Sequence, residues 1–173
     1  MTNEITITTA ELLEKMDAAR EEVDAFLAEL TPAQIAAPST PTQWSIKDHI
    51  AHLGVWAEGM VALLNHQSRW RAMGLSPEFM ATRPGYDEMN HEIYLRFEKV
   101  AWPDVLAYFN DMHATLKSVI AAMTDSDLQR PYGEFDPNAL PDRAQRPVVG
   151  WIIGNTYEHY EEHLQWMMEG LEG

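Results

Sequence analysis

The last long segment of the chain reads VVGWIIGNTYEHYEEHLQWMMEG from Val148 to Gly170. Its apolar residues recur with the period of about 3.6 residues that is typical of an amphipathic helix. Its glutamates gather on the opposite, polar face, and Gly170 is a suitable residue for a helix end. The segment is therefore predicted to form one continuous helix whose apolar face packs inside the protein.

The rest of the chain has the same helical periodicity and no convincing strand. Capping boxes mark the starts of two helices, Thr8 with Glu11 and Ser45 with Asp48. Long helices are predicted over about residues 9–30, 46–70 and 87–123, the last one kinked or restarted at Trp102-Pro103-Asp104. A Pro- and Thr-rich loop at 38–41 and long loops at 72–86 and 127–147 connect them. The expected fold is an all-α four-helix bundle, with residues 1–173 forming a single domain.

The charge balance and the absence of cysteine limit the functions open to the chain. Its 12 basic and 27 acidic residues give a formal net charge of −15. Because a negative surface repels phosphate backbones and anionic lipid, we expect no nucleic-acid partner and no membrane association. Without cysteine, thiolate metal sites and disulfides are excluded, so any metal must be held by histidine, oxygen ligands or water. Residues 1–10 do not resemble a secretory signal, which makes the cytoplasm the expected location.

Two histidines fall inside the apolar arc of the last helix. His159 and His163 are four residues apart, so their imidazoles point the same way, about one helical turn apart. One helix supplies two ligands to a metal ion with this spacing. The alternative is a pair of core histidines satisfied by their neighbours. Buried neutral imidazoles each need a polar partner, and a shared cation would supply one to both.

The second helix offers a third imidazole. Its apolar face contains His49 and has His52 at its margin, and spacing alone does not choose between them. His52 lies about two turns from the start of its helix, and His163 lies about two turns from the end of its own. Antiparallel packing of the two helices would therefore bring His52 and His163 to one level.

These residues resemble the pattern of the DinB/YfiT-like superfamily of small bacterial four-helix proteins. Members carry a tryptophan eight residues before a histidine on the second helix, as Trp44 and His52 do here, and a histidine pair late in the last helix. The resemblance implies that His52, His159 and His163 bind a divalent metal ion, nickel or zinc. In the common pattern Arg-Gly-Gln follows the final histidine, whereas Leu164-Gln165-Trp166 follows it here.

Two functions are compatible with this resemblance. The first is a metal-dependent enzyme, either a hydrolase or a transferase that uses a low-molecular-weight thiol, with a small-molecule substrate and an unassigned general base. Since the chain has no cysteine, the thiol cosubstrate would have to arrive from outside. The second is a metal-free bundle of the ClbS/DfsB-like branch, which would bind a small molecule for self-protection. The resemblance also implies a homodimer.

Three further expectations concern the surroundings of the histidines. The loops 72–86 and 127–147 are expected to form the walls of a pocket. The glutamates of the last helix are expected to raise the histidine pKa values in the metal-free protein, so that metal binding weakens sharply in mild acid. Several tryptophans are interpreted as core or interface residues, namely Trp56, Trp70, Trp102, Trp151 and Trp166.

Overall fold

The computed structural model describes residues 6–38 and 43–172, apart from the side chain of Glu172. Most of the predicted loop at 38–41 and the first five residues of the chain lie outside this range. Within it the structure is helical and contains no β-strand. In chain order the helices are α1 (Thr9–Ala28), α2 (Pro32–Ala36), α3 (Ile46–Leu64), α4 (Arg69–Ala72), α5 (Pro77–Ala81), α6 (Tyr86–Phe97), α7 (Trp102–Ala121), α8 (Asp125–Leu128), α9 (Tyr132–Phe135), α10 (Pro141–Ala144), α11 (Val149–Ile153) and α12 (Tyr157–Glu172).

The four long helices α1, α3, α7 and α12 form a bundle with α3 at its centre. Most residues of α3 are buried, which is expected of a helix whose apolar residues lie on nearly all sides. It packs against α7, α4, α6 and α12, while α1 packs against α12 and α7. The prediction of an all-α bundle is thus confirmed.

The second long helix ends earlier than its apolar periodicity suggests. It was expected to continue to Trp70, but α3 ends at Leu64. The side chain of Asn65 donates to the carbonyl of Val61 at 2.8 Å, and His66 takes a left-handed φ of 57°. Both features terminate a helix, because they satisfy a final carbonyl locally and turn the backbone out of the helical path.

The last helix is broken, where one continuous helix was predicted. Residues 154–156 form a turn between α11 and α12. There the Oγ1 of Thr156 donates to the carbonyl of Ile152, and the Nδ2 of Asn155 donates to that of Trp151, both at 2.7 Å. Side-chain donors therefore take the carbonyls that a continuous helix would use, and the backbone amides of both residues turn to carbonyls only three residues back.

The segments predicted as long loops contain short helices instead. Residues 72–86 include α5, and residues 127–147 include α9 and α10. Each is only four or five residues long, too short for a hydrophobic period to be visible in the sequence. Of these short helices, α9 and α10 help to wall a cavity at the bundle end that carries the histidines, through Tyr132 and Arg143.

The close approach of α3 and α7 depends on Gly54. A Cβ atom at this position would lie 2.8 Å from Cε1 of Tyr108 and 3.4 Å from the backbone of Phe109. The ring of Tyr108 cannot move away freely, since its hydroxyl donates to Glu58 at 2.6 Å. We expect Gly54→Ala to lower the free energy of unfolding by about 1–2 kcal/mol, because overpacking outweighs the gain in helix propensity.

Urea unfolding followed by circular dichroism measures this effect. Gly154→Ala is the control, since its Cβ would meet nothing nearer than 3.4 Å and should change stability by no more than about 0.5 kcal/mol. Equal stability losses in the two variants would show that the α3–α7 contact does not require glycine.

Candidate metal centre

The start of α3 fixes the direction of two histidines. The Oγ of Ser45 accepts a hydrogen bond from the amide of Asp48, and a carboxylate oxygen of Asp48 accepts one from the amide of Ser45. This capping box sets where the helix begins. His49 and His52 follow within its first two turns and both are buried, so they point into the bundle.

Helices α3 and α12 run antiparallel at this point. His49 of α3 contacts His163 of α12, and His52 of α3 contacts His159 of α12. Residue numbers therefore rise along α3 as they fall along α12. The ring centroids of His52 and His163 are 4.6 Å apart. The antiparallel arrangement that would bring these two residues to one level is therefore present.

Three imidazoles form a group with the dimensions of a metal site. His52, His159 and His163 each offer one nitrogen, and these three atoms lie within 4.8 Å of one another. The Nε2 atoms of His52 and His159 are 3.2 Å apart. Two imidazole ligands on one tetrahedral zinc ion would have their nitrogens about 3.3 Å apart. The three side chains could thus hold one divalent ion with little movement.

His49 lies behind this group rather than in it. Its Nδ1 is 2.9 Å from Nδ1 of His163. If His163 binds an ion through Nε2, its Nδ1 carries the proton and donates to His49, which fixes the tautomer and orientation of the ring. Of the two second-helix candidates, His52 therefore belongs to the three-histidine group, and His49 supports His163.

Burial keeps these imidazoles neutral. It lowers the pKa of His49 and of His159 to about 4, and it lowers the pKa values of His52 and His163 well below 6.5, with the neighbouring histidines adding to the shift. The expectation of raised histidine pKa values was wrong, because desolvation outweighs the field of the exposed glutamates of α12. Neutral imidazole is the form that ligates a metal, and at pH 5.5 these pKa values no longer predict a sharp loss of binding.

The group lies in the wall of a cavity of about 780 Å³. The expected contribution of the loop regions is found, since Tyr86, Tyr132 and Arg143 line the cavity. Of the tryptophans interpreted as core or interface residues, Trp56, Trp70, Trp102 and Trp151 do pack in or against the hydrophobic core. Five tryptophans also line the cavity: Trp44, Trp56, Trp70, Trp151 and Trp166.

The sequence did not predict that tryptophans line the cavity. A half-buried tryptophan on a helix face has the same spacing whether it packs in a core or borders a cavity. Trp102 packs against the core as expected and does not line the cavity. Trp44 was singled out only by its distance from His52, and its ring centroid lies 5.1 Å from that of His52.

Three histidines converge from two facing helices of an all-α bundle, in an arrangement that could hold a metal ion. The model of the DinB superfamily matches residues 11–167 of the chain. The chain belongs to the DinB superfamily. No curated protein is significantly similar to it in sequence.

Two solved structures have the same fold at low sequence identity. An uncharacterised protein from Escherichia coli UTI89 is 17% identical, with a TM-score of 0.71 over 95% of this chain and 93% of that chain. The colibactin self-resistance protein ClbS, solved in complex with a dsDNA, is 18% identical, with a TM-score of 0.69 over 98% of each chain. At this identity the likeness establishes the fold alone.

The prediction that the negative net charge rules out a nucleic-acid partner was wrong. ClbS has the same fold and was solved with DNA bound, so nucleic-acid binding is possible in this family. The total charge of −15 is a sum over the whole chain, whereas contact with a phosphate backbone depends on the charges at the contact surface. Separately, none of the helices described is both long and apolar enough to span a bilayer.

Proposed function

We propose that this protein is a metal-dependent enzyme in which His52, His159 and His163 hold one divalent ion, nickel or zinc. The observation that carries the proposal is the convergence of three neutral, desolvated imidazoles within 4.8 Å of one another in a cavity wall. A three-histidine set leaves coordination positions open, as catalytic sites do. When bound, such an ion supplies Lewis acidity that activates a water or thiol nucleophile at neutral pH.

The reaction class we propose is hydrolysis, or transfer to a low-molecular-weight thiol. The chain contains no cysteine, so a thiol would enter the cavity as a cosubstrate. The aromatic walls give a substrate apolar surface to pack against. Glu162 and Asp87 also line the cavity, but both are exposed, and we assign neither of them as general base.

A second function is favoured by a separate observation. The pairs His52–His159 and His49–His163 lie at 3.2 and 2.9 Å, which are also hydrogen-bond distances between neutral imidazoles. The four rings can therefore satisfy part of their polar capacity without an ion. This suits a metal-free bundle that binds a small molecule for self-protection, and ClbS is named as a colibactin self-resistance protein.

Metal analysis of protein prepared without a histidine tag separates the two functions. After EDTA treatment and reconstitution with nickel or zinc, we expect about one equivalent of bound metal per chain, measured by inductively coupled plasma mass spectrometry. Hydrolysis of ester and amide substrates, and conjugation with glutathione as a model thiol, should then appear only in the metal-loaded protein. Less than a tenth of an equivalent, unchanged by adding either metal, would refute the enzyme proposal and leave the metal-free function.

A further inference from the structure

A buried guanidinium lies in the wall of the same cavity. Arg69, in α4, is only 5% exposed. Its Nη2 donates to Oδ1 of Asn155 at 2.7 Å, and the hydroxyl of Tyr132 also interacts with it. Both of these partners are neutral. Among the residues that the structure describes, no carboxylate lies within 4.0 Å of Arg69, and Asp136 acts on it only from farther away.

Two N–H donors in this part of the wall have no hydrogen-bond partner among the described residues. They are Nε of Arg69 and Nε1 of Trp56, and both atoms are buried. The rings of Trp56 and Trp70 lie 5.0 and 5.1 Å from the guanidinium carbon, so they contribute cation–π attraction. That attraction does not satisfy the N–H groups, and a buried donor without an acceptor costs about 1–3 kcal/mol.

A purely structural role does not account for this arrangement. A methionine or leucine would fill the space between the two tryptophan rings without burying a charge, and such replacements are commonly neutral or stabilising. A buried charge is normally paired. The unpaired guanidinium in a cavity wall therefore indicates that its counter-ion arrives with a ligand.

We propose that Arg69 and Trp56 bind a carboxylate group of the substrate. This inference deepens the proposed function and rests on it, because it names the substrate class of the same cavity. Trp56 connects the two regions, since its ring centroid lies 5.7 Å from that of His52 and 6.0 Å from that of His159. A molecule whose carboxylate pairs with Arg69 can thus extend along Trp56 towards the three-histidine group.

The charge of the surroundings favours a carboxylate over a phosphate. One guanidinium balances the single charge of a carboxylate, and its planar N–H groups match the two oxygens. A phosphate monoester would bring about two negative charges into a cavity that Asp87 and Glu162 also line, and Arg143 in the same wall offsets only one of these two carboxylates. Asn90, whose buried Oδ1 has no partner in the described part of the chain, supplies an acceptor for a hydroxyl or N–H of the same molecule.

The test uses benzoate as the probe, with benzamide as its neutral counterpart and phenylphosphonate as the phosphate-like alternative. Binding is measured by calorimetry and tryptophan fluorescence on the full chain in EDTA, so a failure of the metal proposal would not affect the result. We expect benzoate to bind at least tenfold more tightly than benzamide. Arg69→Met should weaken benzoate at least tenfold without lowering the melting temperature, while Arg71→Met, an exposed change on the same helix, should leave it within twofold.

Arg69→Lys serves if Arg69→Met does not fold. It keeps the charge but loses the planar fork, so benzoate should weaken at least fivefold and benzamide should not change. Equal affinities of benzoate and benzamide, or an unchanged benzoate affinity in the Arg69 variants, would overturn the proposal. Tighter binding of phenylphosphonate than of benzoate would overturn the assignment of a carboxylate. Metal binding measured in parallel should be intact in Arg69→Met, which separates this inference from the proposed function.

Discussion

Replacing His163 with alanine is expected to abolish stoichiometric metal binding. The change removes one of the three proposed ligands, and it also removes the ring that lies against His49. A divalent ion held by the two remaining imidazoles should be lost on desalting, so bound metal should fall from about one equivalent to below a tenth. His52→Ala and His159→Ala should behave in the same way, since each removes one of the three converging nitrogens.

His49→Ala provides the informative comparison. His49 supports His163 from behind, and loss of such a partner typically weakens metal binding by about 10–100-fold without removing a ligand. Metal titration by calorimetry measures the difference. His66→Ala is the control, because His66 is exposed and contacts Glu134 and Phe135 rather than the three-histidine group. If His49→Ala abolishes binding while His52→Ala does not, the assignment of the second-helix ligand is wrong.

The metal-free protein is expected to lose stability steeply in mild acid. Burial lowers the pKa of both His49 and His113 from 6.5 to about 4, so the unfolded chain binds more protons than the folded protein between these values. The stabilisation that these two histidines contribute is therefore fully present above about pH 6.5, and it is lost as the pH decreases towards 4. Each of these two residues should contribute about 2 kcal/mol of loss between pH 7.5 and 5.0.

Urea unfolding in EDTA at pH 7.5, 6.0 and 5.0 measures this loss, and His113→Gln isolates one part of it. His113 lies in the core, where its Nδ1 is 3.0 Å from the hydroxyl of Tyr160, away from the three-histidine group. Removing its titration should reduce the acid-dependent loss by about 2 kcal/mol. Added zinc should oppose the loss, because it binds the neutral imidazoles of the folded state. A free energy of unfolding that stays constant or rises on acidification would contradict these pKa directions.

The parts of the structure that depend on local signals were predictable. Capping boxes at Thr8 and Ser45 located two helix starts, and the restart at Trp102 followed from the proline beside it. The pairing of His159 with His163 followed from their spacing within one helix. The choice of His52 over His49 was left open by spacing, because it depends on how two helices are packed. It was favoured by a register argument that assumed antiparallel packing and by the family resemblance.

The position of Arg69 beside Trp56 and Asn155 in the cavity wall was not predictable, because these residues are distant in the chain. Arg69 belongs to a four-residue helix with no visible period, and its partner Asn155 lies 86 positions away. The prediction of raised histidine pKa values was wrong for a related reason. Sequence shows how many glutamates lie near His159, but only the packed structure shows that burial of the ring outweighs them.

The turn at residues 154–156 allows the direction of Asn155 to be set separately from the directions of His159 and His163, which a continuous helix would not allow. In an uninterrupted helix each residue is rotated by about 100° from the last, so the direction of Asn155 would dictate that of His159. The turn frees one from the other: Asn155 holds Arg69 while α12 aims its two imidazoles independently. Substitutions at Asn155 and Arg69 could therefore change the cavity wall while leaving the arrangement of the three histidines intact.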